Sequence, residues 1–310
     1  MKLIDNTLAG RRYLHWSIGR TLAYFVQGVA RETGVAPSFF REQYRRAAFA
    51  ELKRRWLKRD GEEAFFDFHG MKLPDISADA EKLLGLSYVF NDVFLFPCFY
   101  GDNYDRAVVE EIDRHDMMEG PYGYVDAPFD VSVRRGDVVI DAGAWIGDFS
   151  AYAVGKGAVA YAFEPVGETF RLLQKTSRLN GSGIYPVRQG LGSEAREVDI
   201  AIDAENSGAN SILREAPGQR SERISITTLD AFVEENRLPR VDFIKADIEG
   251  AEREMLKGAA GVLKNFAPRL AICTYHLPDD PAVLEGIILE ANPAYTVKHL
   301  RHKLLAAVVK

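Results

Sequence analysis

The 310-residue sequence predicts an α/β fold, in which a doubly wound, Rossmann-like parallel sheet follows a mainly helical N-terminal accessory region. Three observations support this fold class. A run of β-branched residues leads directly into an acidic residue and a glycine turn near residue 140. From residue 137 onward, apolar strand patterns alternate with helical patterns. Finally, the first 60 residues differ sharply in charge from the rest of the chain.

The alternating part of the chain defines the order of the elements. Strands are predicted near residues 137–142, 158–164, 184–188, 241–246 and 268–275, and helices near 147–155, 167–180, 250–264 and 281–291. Repeated β-α units predict a parallel sheet whose ligand site lies at the carboxyl ends of the strands. Residues 295–300 and 304–309 predict a closing hairpin across a short basic turn. The polar segment 206–211 is interpreted as a surface loop, with an acceptor-facing lid as the alternative.

The first strand leads into a glycine turn with the spacing Asp141-x-Gly143-x-x-x-Gly147. Glycine lets a backbone turn sharply and approach a ligand where a Cβ would collide. The spacing departs from the Gly-x-Gly-x-x-Gly dinucleotide fingerprint, and no Gly-Lys-Ser/Thr follows as in a P-loop. Such a turn suits a cofactor with an amino-acid tail and one ribose, a description that S-adenosylmethionine fits. The alternative is an ordinary tight connection between a strand and a helix.

The second strand ends in Glu164, 23 residues after the acid of the glycine turn. An acidic residue about 20 residues beyond such a turn is typical of a carboxylate that binds ribose hydroxyls. We therefore assign cofactor binding to six residues, the last of them from a later strand: Asp141, Gly143, Ala144, Gly147, Glu164 and Asp247.

Residues 241–252 form a third informative segment, a strand whose outer end is crowded with carboxylates before a helix. Because the carboxyl ends of neighbouring parallel strands meet at one edge, we expect Asp247, Glu249 and His276 to lie close together. His276 is the first choice for a catalytic general base, since an imidazole titrates near neutral pH. The alternative is a structural histidine. Asp247 is expected to contact the cofactor or orient the acceptor, and Glu249 to bind acceptor hydroxyls.

Two charged neighbours of these residues are given structural roles. Lys245 lies two residues before Asp247 and on the same face of the strand, which predicts a buried Lys-Asp pair, with a catalytic lysine as the alternative. Glu252 is expected to be a structural carboxylate near a helix start. Asp247, Glu249 and His276 have the residue types of a divalent-metal site, but no ligand spacing specifies one, so no metal is predicted.

Five motifs in this part of the chain resemble, in the same order, those of the FkbM-type methyltransferases. They are Asp-Ala-Gly-Ala-Trp-Ile-Gly-Asp-Phe-Ser at 141–150, Phe-Glu-Pro at 163–165, Thr-Leu-Asp at 228–230, Lys-Ala-Asp-Ile-Glu-Gly-Ala-Glu at 245–252, and Tyr275-His276 with Asp279-Asp280. The resemblance covers about residues 120–303, and Ala246 stands where that family often has isoleucine. It implies a seven-stranded class I methyltransferase sheet with an antiparallel last strand.

Composition agrees with a globular protein, since 47% of the residues are hydrophobic and 27% are charged. The two cysteines, Cys98 and Cys273, are far apart in sequence, which disfavours a disulfide framework and favours a reducing cytoplasm. The first thirty residues carry several charges and only short apolar stretches. Neither a signal peptide nor a transmembrane segment is therefore expected.

The N-terminal region, residues 1–120, is distinguished from the domain at 121–310 by charge and by Gly120-Pro121 at the boundary. Residues 1–60 hold 13 Lys/Arg and five Asp/Glu, a net of +8, so the remaining 250 residues carry −14. Basic and aromatic residues between 40 and 59 predict an amphipathic helix with a solvated basic face. The alternatives are contact with an acidic partner or acceptor, or with a membrane surface. Nucleic acid is disfavoured by the acidic remainder.

Aromatic residues are frequent between 61 and 128, and most of them are assigned to core packing. The segment 121–124, Pro-Tyr-Gly-Tyr, lies just before the predicted catalytic domain. It is a candidate to cover the cofactor or to line an acceptor pocket. The sequence does not predict an oligomeric state.

Together these features predict an S-adenosylmethionine-dependent O-methyltransferase that acts on a hydroxyl of a sugar, glycolipid or other secondary metabolite. A hydroxyl is a weak nucleophile at neutral pH, which calls for a base beside it. Many methyltransferases that act on nitrogen carry Asn/Asp-Pro-Pro-Tyr after the fourth strand, where this chain has Asp-Ile-Glu-Gly at 247–250. The alternatives are a small-molecule N-methyltransferase and a cofactor-binding module without turnover.

Overall fold

The structure is a computed structural model that describes residues 49–50, 52–68, 70–79, 82–83, 122–201, 221–300 and 302–309. Most of the predicted basic helix and the whole polar segment 206–211 lie outside these ranges. The predicted domain boundary near residue 120 also lies outside them and stays a prediction.

Fifteen strands are assigned within the described residues. In chain order they are β1 Leu57–Asp60, β2 Glu63–Phe68, β3 Met71–Pro74, β4 Tyr124–Asp126, β5 Phe129–Val131, β6 Val138–Ala142, β7 Val159–Phe163, β8 Ile184–Val187, β9 Gly190–Leu191, β10 Arg196–Ala201, β11 Ser221–Thr227, β12 Phe243–Ala246, β13 Arg269–Cys273, β14 Tyr295–Leu300 and β15 Lys303–Val308.

Six helices follow β6 in the described part of the chain. They are α1 Asp148–Gly155, α2 Gly167–Leu179, α3 Leu229–Glu235, α4 Glu252–Lys257, α5 Ala260–Asn265 and α6 Asp280–Ala291. Over the same described ranges, no helix combines the length and apolar character needed to cross a membrane.

Seven strands form the central sheet, in the order β14-β15-β13-β12-β6-β7-β8. The five strands from β13 to β8 are parallel, whereas β15 runs antiparallel to both β13 and β14. This topology confirms the predicted seven-stranded, doubly wound sheet and its closing hairpin. The winding direction reverses between β6 and β12, and open α/β sheets bind their ligands at such a switch point.

The central strands are covered on both faces by hydrophobic layers. Val139 and Phe243 belong to the layer that contains buried residues of α1 and α2. Their sequence neighbours Ile140 and Ile244 belong to the opposite layer, which contains residues of α3 to α6. Successive side chains of a strand point to opposite faces, so a strand covered on both sides needs a continuous apolar run. The apolar run at 138–140 is therefore the signature of a central strand.

Gly143 is required where the loops after β6 and β12 meet. Its φ is +74°, in the left-handed region, and a Cβ at this position would lie 1.9 Å from the carbonyl oxygen of Asp247. Gly147 has a φ of +89° and packs against Leu173 and Thr176 of α2. The predicted glycine turn is therefore confirmed as a place where two loops approach closely at the switch point.

Two features of the domain differ from the sequence-based expectation. The predicted helix over 250–264 is two helices, α4 and α5, separated at Gly258, where a Cβ would lie 2.0 Å from the carbonyl oxygen of Gly192. In addition, the chain between β8 and β12 forms a separate three-stranded sheet of β9, β10 and β11. The alternating residues of this small sheet contribute Ile200, Ile224 and Ile226 to a third buried cluster.

The described part of the N-terminal region is a small antiparallel sheet, β1-β2-β3, after a helical segment at 52–56. The prediction that this region is mainly helical is therefore wrong for residues 57–74. Phe66 and Phe68 of β2 are fully buried and join the hydrophobic layer of α1 and α2, as the prediction of aromatic core packing requires. Lys72 of β3 exchanges hydrogen bonds with Asn180, which ties this sheet to the end of α2.

The close approach at Gly143 predicts a large loss of stability in Gly143→Ala. A left-handed φ alone costs an L-residue about 1–2 kcal/mol, and the collision with the backbone of Asp247 adds to that cost. We expect a total above about 3 kcal/mol in urea unfolding, or failure to fold. Gly136→Ala is the matched control, since Gly136 has a φ of +84° and no heavy atom lies within 4 Å of the position that a Cβ would occupy. Equal losses in the two variants would contradict the requirement for close approach.

Candidate active site

A cleft opens beside the carboxyl ends of β6, β7 and β12. Phe163, Val166 and Leu191 contribute apolar walls, and the small sheet β9-β10-β11 closes one side. The polar lining comes from three acidic residues and one amide, namely Glu164, Asp247, Glu249 and Gln189. The apolar walls with a few polar groups match the lining of a small-molecule site.

Glu164 lies at the end of β7 and is 7% exposed. Its carboxylate accepts a hydrogen bond of 2.9 Å from the backbone N–H of Val166 and another from the backbone of Trp145. Burial raises the pKa of Glu164 to about 8, although these hydrogen bonds and the charge of Lys245 act in the opposite direction. A buried carboxyl group that faces a cleft can accept hydrogen bonds from the hydroxyl groups of a ligand with little competition from water.

Asp141 does not line the cleft. Its side chain is fully buried beneath the glycine turn, where it accepts a hydrogen bond of 2.6 Å from Ser150. The ammonium group of Lys245 lies 3.1 Å from the other carboxylate oxygen. Lys245 is therefore in a buried ion pair, but its acidic partner is Asp141, and the predicted pairing with Asp247 is wrong. The same-strand spacing of 245 and 247 pointed to the wrong acid, whereas residues 141 and 245 are in register on β6 and β12.

The rest of the glycine turn is divided between the cleft and the core. Gly143 lines the cleft, whereas Ala144 and Gly147 lie behind it. The backbone N–H groups of Gly143 and Ala144 both donate to the carbonyl oxygen of Phe163. Of the six residues assigned to cofactor binding, Gly143, Glu164 and Asp247 line the cleft, and the other three support the turn.

Asp247 is the most strongly contacted acid of the site. Tyr122 donates a hydrogen bond of 2.5 Å to one carboxylate oxygen, and Tyr275 donates one of 3.0 Å to the other. Burial alone would raise the pKa of Asp247, but the charges of Lys303 and Lys245 and the bond from Tyr122 hold it well below its ordinary value. Asp247 is therefore ionised at neutral pH and is a weak base.

Glu249 lines the cleft from a strained turn after β12. Its φ is +54°, which is unusual for a residue other than glycine. The turn is held by the buried carboxylate of Glu252, which accepts hydrogen bonds from the backbone N–H groups of Ile248 and Gly250 at 2.8 and 3.0 Å. Glu252 therefore has the structural role that was predicted for it. Its hydrogen bonds hold the residues on both sides of Glu249 and so fix the position of Glu249 at the cleft. Such strain is frequent at functional sites.

His276 lies among three carboxylates, and its side chain is only 4% exposed. Its Nε2 is 3.6 Å from Glu249 and 3.7 Å from Asp247, and its Nδ1 is 3.0 Å from Glu252. The predicted proximity of Asp247, Glu249 and His276 is therefore observed. The loop that carries His276 is anchored by Arg253, which pairs with Asp280 at 2.6 Å and with Asp279.

This environment changes the protonation expected of His276. Burial disfavours the charged imidazole, but Glu249, Glu252 and the charge of Asp247 outweigh it and raise the pKa of His276 to about 10. This environment argues against titration of His276 near neutral pH. An imidazole that carries both protons cannot accept another, so the environment disfavours the general-base role, which stays a prediction.

Two further residues at Asp247 come from distant parts of the sequence. Tyr122 belongs to the segment 121–124 that was predicted to lie near the cofactor or acceptor. Lys303 was not predicted: it is fully buried at the start of β15, with its ammonium group 4.6 Å from the ring centre of Tyr122 and 5.1 Å from that of Tyr275. In the sequence, the only sign of its burial is its position directly before the apolar run 304–309. In the structure, Lys303 pairs with Cys273 in the register of β15 and β13.

The sheet order, the glycine turn after β6 and the acid after β7 define the class of Rossmann-like methyltransferases. Within that class, the model of the FkbM methyltransferase domain matches residues 141–305. The match spans more than half of the sequence, and the chain therefore belongs to the FkbM methyltransferase family. Methyl transfer is the activity that this membership supports.

Relatives of assigned function agree with this class. The chain is 29% identical over 194 residues to the hexuronic acid methyltransferase AglP of Haloferax volcanii, a match that covers 62% of this chain and 78% of the relative. It is 27% identical over 158 residues to Methyltransferase 1 of Beauveria bassiana, covering 44% of this chain and 64% of that protein. A solved FkbM methyltransferase from Methylobacillus flagellatus shares 21% identity at a TM-score of 0.44, covering 84% of this chain and 58% of the solved one.

The raised pKa of His276 predicts that its ring stays protonated in the metal-free protein between about pH 6 and pH 9. The folded-state pKa lies above the ordinary value of 6.5, so His276 contributes stability below pH 6.5 that is lost as the pH rises toward about 10. The chemical shift of the Cε1 proton, followed by NMR across the pH range, measures the pKa of His276 directly. Glu249→Gln should lower the midpoint, and Glu254→Gln on the surface of α4 should not. A wild-type midpoint near 7 would restore the general-base role.

Proposed function

We propose that the protein is an S-adenosylmethionine-dependent O-methyltransferase whose acceptor is a sugar or a sugar-like metabolite. The observation that carries this proposal is the arrangement of Gly143, Glu164 and Asp247 around one cleft at the switch point of the sheet. Family membership supports methyl transfer. The polar residues of the cleft, Glu164 and Asp247, favour a methyl donor that contains a nucleoside and carries polar groups at both of its ends.

Glu164 is the residue that we assign to the ribose of the donor. Its carboxyl group is buried at the cleft, is oriented by two backbone donors, and retains lone pairs for ligand hydroxyls. The apolar walls beside it, including Phe163 and Leu191, suit a purine ring. S-adenosylmethionine supplies a sulfonium methyl group that is transferred by in-line displacement, so the protein contributes mainly alignment.

The acceptor is assigned to the side of the cleft that carries Asp247 and Glu249. Carboxylates accept hydrogen bonds from sugar hydroxyls, and Tyr275, which is 38% exposed, adds an aromatic surface beside them. The relative named as a hexuronic acid methyltransferase supports a sugar acceptor. In this proposal Asp247 and Glu249 orient the acceptor, and the His276 imidazolium keeps these two carboxylates together.

A specific observation favours a second acceptor group on the same kind of molecule. The lowered pKa of Asp247 and the raised pKa of His276 disfavour these two side chains as the base for a hydroxyl. The carboxylate of a sugar acid is already ionised at neutral pH and needs no base. Methylation of a carboxylate to an ester is therefore the second candidate, and methylation of a hydroxyl to an ether remains the first.

The assignment of Glu164 is tested by calorimetry with S-adenosylmethionine. Glu164→Gln removes the charge but keeps the shape, and we expect affinity to fall by about 1.5–3 kcal/mol, or roughly 10- to 150-fold. With a pKa of about 8, Glu164 is mostly protonated at pH 7 before the donor binds. Ligand hydroxyls favour the ionised carboxylate, so binding to the wild type should release up to about one proton. This release is measured as a dependence of the binding enthalpy on the ionisation enthalpy of the buffer. The variant should release none.

Glu168→Gln is the matched control, because Glu168 lies on the first turn of α2, outside the cleft, and its exposed side chain pairs with the buried Lys82. It should bind the donor as the wild type does. Wild-type affinity in Glu164→Gln would remove Glu164 from the donor site.

The acceptor is tested with methyl-labelled donor and a panel of hexuronic acid glycosides and their neutral hexose counterparts. We expect label in the sugar products, located by mass spectrometry. Mild alkali distinguishes the two candidates, because a methyl ester releases labelled methanol and a methyl ether does not. Label in an amine product, or none in any sugar although the donor is bound, would contradict the proposed acceptor class.

A further inference from the structure

We propose that Asp247, Glu249 and His276 form a binding site for a divalent transition-metal cation, with Mn²⁺ as the preferred probe. The role that we assign to the ion, binding the acceptor oxygen, rests on the proposed function. The existence of the site does not, because it follows from the arrangement of the three side chains.

The ligand atoms are spaced as if around one ion. One atom from each of the three residues can be chosen so that all lie within 4.8 Å of one another. Nε2 of His276 is 3.6 Å from Oε2 of Glu249 and 3.7 Å from Oδ1 of Asp247. These separations are too long for hydrogen bonds. Two ligands bound to one ion at about 2.2 Å lie roughly 3.1–3.6 Å apart, so the two separations that involve Nε2 need only a small contraction, and the carboxylate oxygens of Asp247 and Glu249 would close around the ion.

The imidazole of His276 is the observation that distinguishes this cluster from an ordinary group of acids. Its side chain is only 4% exposed, and neither ring nitrogen makes a hydrogen bond of good geometry to any residue that the structure describes. The ring directs this nitrogen between the two carboxylates. A buried polar atom without a hydrogen bond is costly, and coordination of a cation would satisfy it.

Glu252 holds the ring in the orientation that metal coordination requires. Its Oε1 lies 3.0 Å from Nδ1 of His276, and both of its oxygens accept backbone N–H groups of the 248–250 turn. A carboxylate facing the second nitrogen of a histidine is the arrangement found behind most metal-binding imidazoles. It favours a proton on Nδ1 and leaves Nε2 to the ion.

The donor set defines the class of ion. Two carboxylate oxygens suit hard cations such as Mg²⁺ and Mn²⁺, and one imidazole nitrogen favours a transition metal. Mn²⁺ satisfies both preferences. Three protein ligands leave coordination positions open, as in catalytic sites, and Asp247 and Glu249 both line the cleft.

An ion at this position would supply the activation that the protein side chains lack. A hydroxyl bound to a divalent cation loses its proton more readily, and that proton can pass to solvent. The resulting oxygen is then the nucleophile that forms the new O–C bond while the S–C bond of the donor breaks. His276 would act as a ligand and not as a base.

The experiment is a titration of the metal-free, full-length protein with Mn²⁺, followed by electron paramagnetic resonance of free and bound ion. We expect one bound ion per chain, with spin-echo modulation from an imidazole nitrogen. Glu249→Gln replaces a charged carboxylate ligand with a neutral amide and should weaken binding at least about 10-fold, since even the loss of an outer-sphere partner typically costs about 10- to 100-fold. Glu254→Gln is the matched control, because Glu254 contacts Lys257 and Ser193 on the surface.

The inference is overturned if wild type and Glu249→Gln bind Mn²⁺ equally, or if the bound ion shows no nitrogen signal. In either case the three carboxylates and the imidazolium are a purely ionic cluster. Thermal unfolding of both variants shows whether they are folded. Calorimetry with S-adenosylmethionine separates the two proposals: a protein that binds Mn²⁺ as described but not the donor retains the metal site and loses the proposed function.

Discussion

The ion pair between Lys245 and Asp141 joins the two central strands of the sheet, and the cleft depends on it. The lysine ammonium lies 3.1 Å from the carboxylate of Asp141 and also donates to the carbonyl oxygen of Gly143 at 2.6 Å. Both side chains are buried, so removal of either one would leave an uncompensated charge, at a typical cost of about 3–5 kcal/mol. The pair therefore holds the glycine turn against β12, where Gly143 meets the backbone of Asp247. Glu164 and Asp247 face one cleft because this contact fixes the relative positions of three strand ends.

A second buried lysine extends this electrostatic arrangement to the acceptor side. Lys303 and Lys245 keep Asp247 ionised, while Tyr122 and Tyr275 occupy both of its oxygens. The negative charge of Asp247, with that of Glu249 and Glu252, in turn keeps His276 protonated. The same charges that assemble the site thus remove the ordinary route to base catalysis. An acceptor that is already ionised, or a cation in place of the imidazolium proton, would each resolve this conflict.

The elements that sequence analysis identified correctly are those whose pattern is set by burial on both sides. β6, β7 and β12 are mostly apolar runs that end at acidic residues, because they are central parallel strands with their carboxyl ends at the site. The elements that it missed are short or depend on distant contacts. β9 has two residues, and β1 begins within the segment 40–59, where basic residues also fit a helical pattern. The division between α4 and α5 at Gly258 depends on a backbone carbonyl far earlier in the chain, at Gly192.

The sequence by itself determined the family, the order of strands and helices along the chain and the residue types of the site, since these depend on local patterns: Asp141 before a glycine turn, Glu164 after the next strand, and the acids at 247–252. Only the tertiary structure decided which partner each charge has. It placed Asp141 under the turn with Lys245, and it brought Tyr122 and Lys303 to Asp247 from opposite ends of the domain. Protonation depends on these partners and on burial, which no local pattern encodes. For that reason His276 could be located from the sequence, but its charge could not.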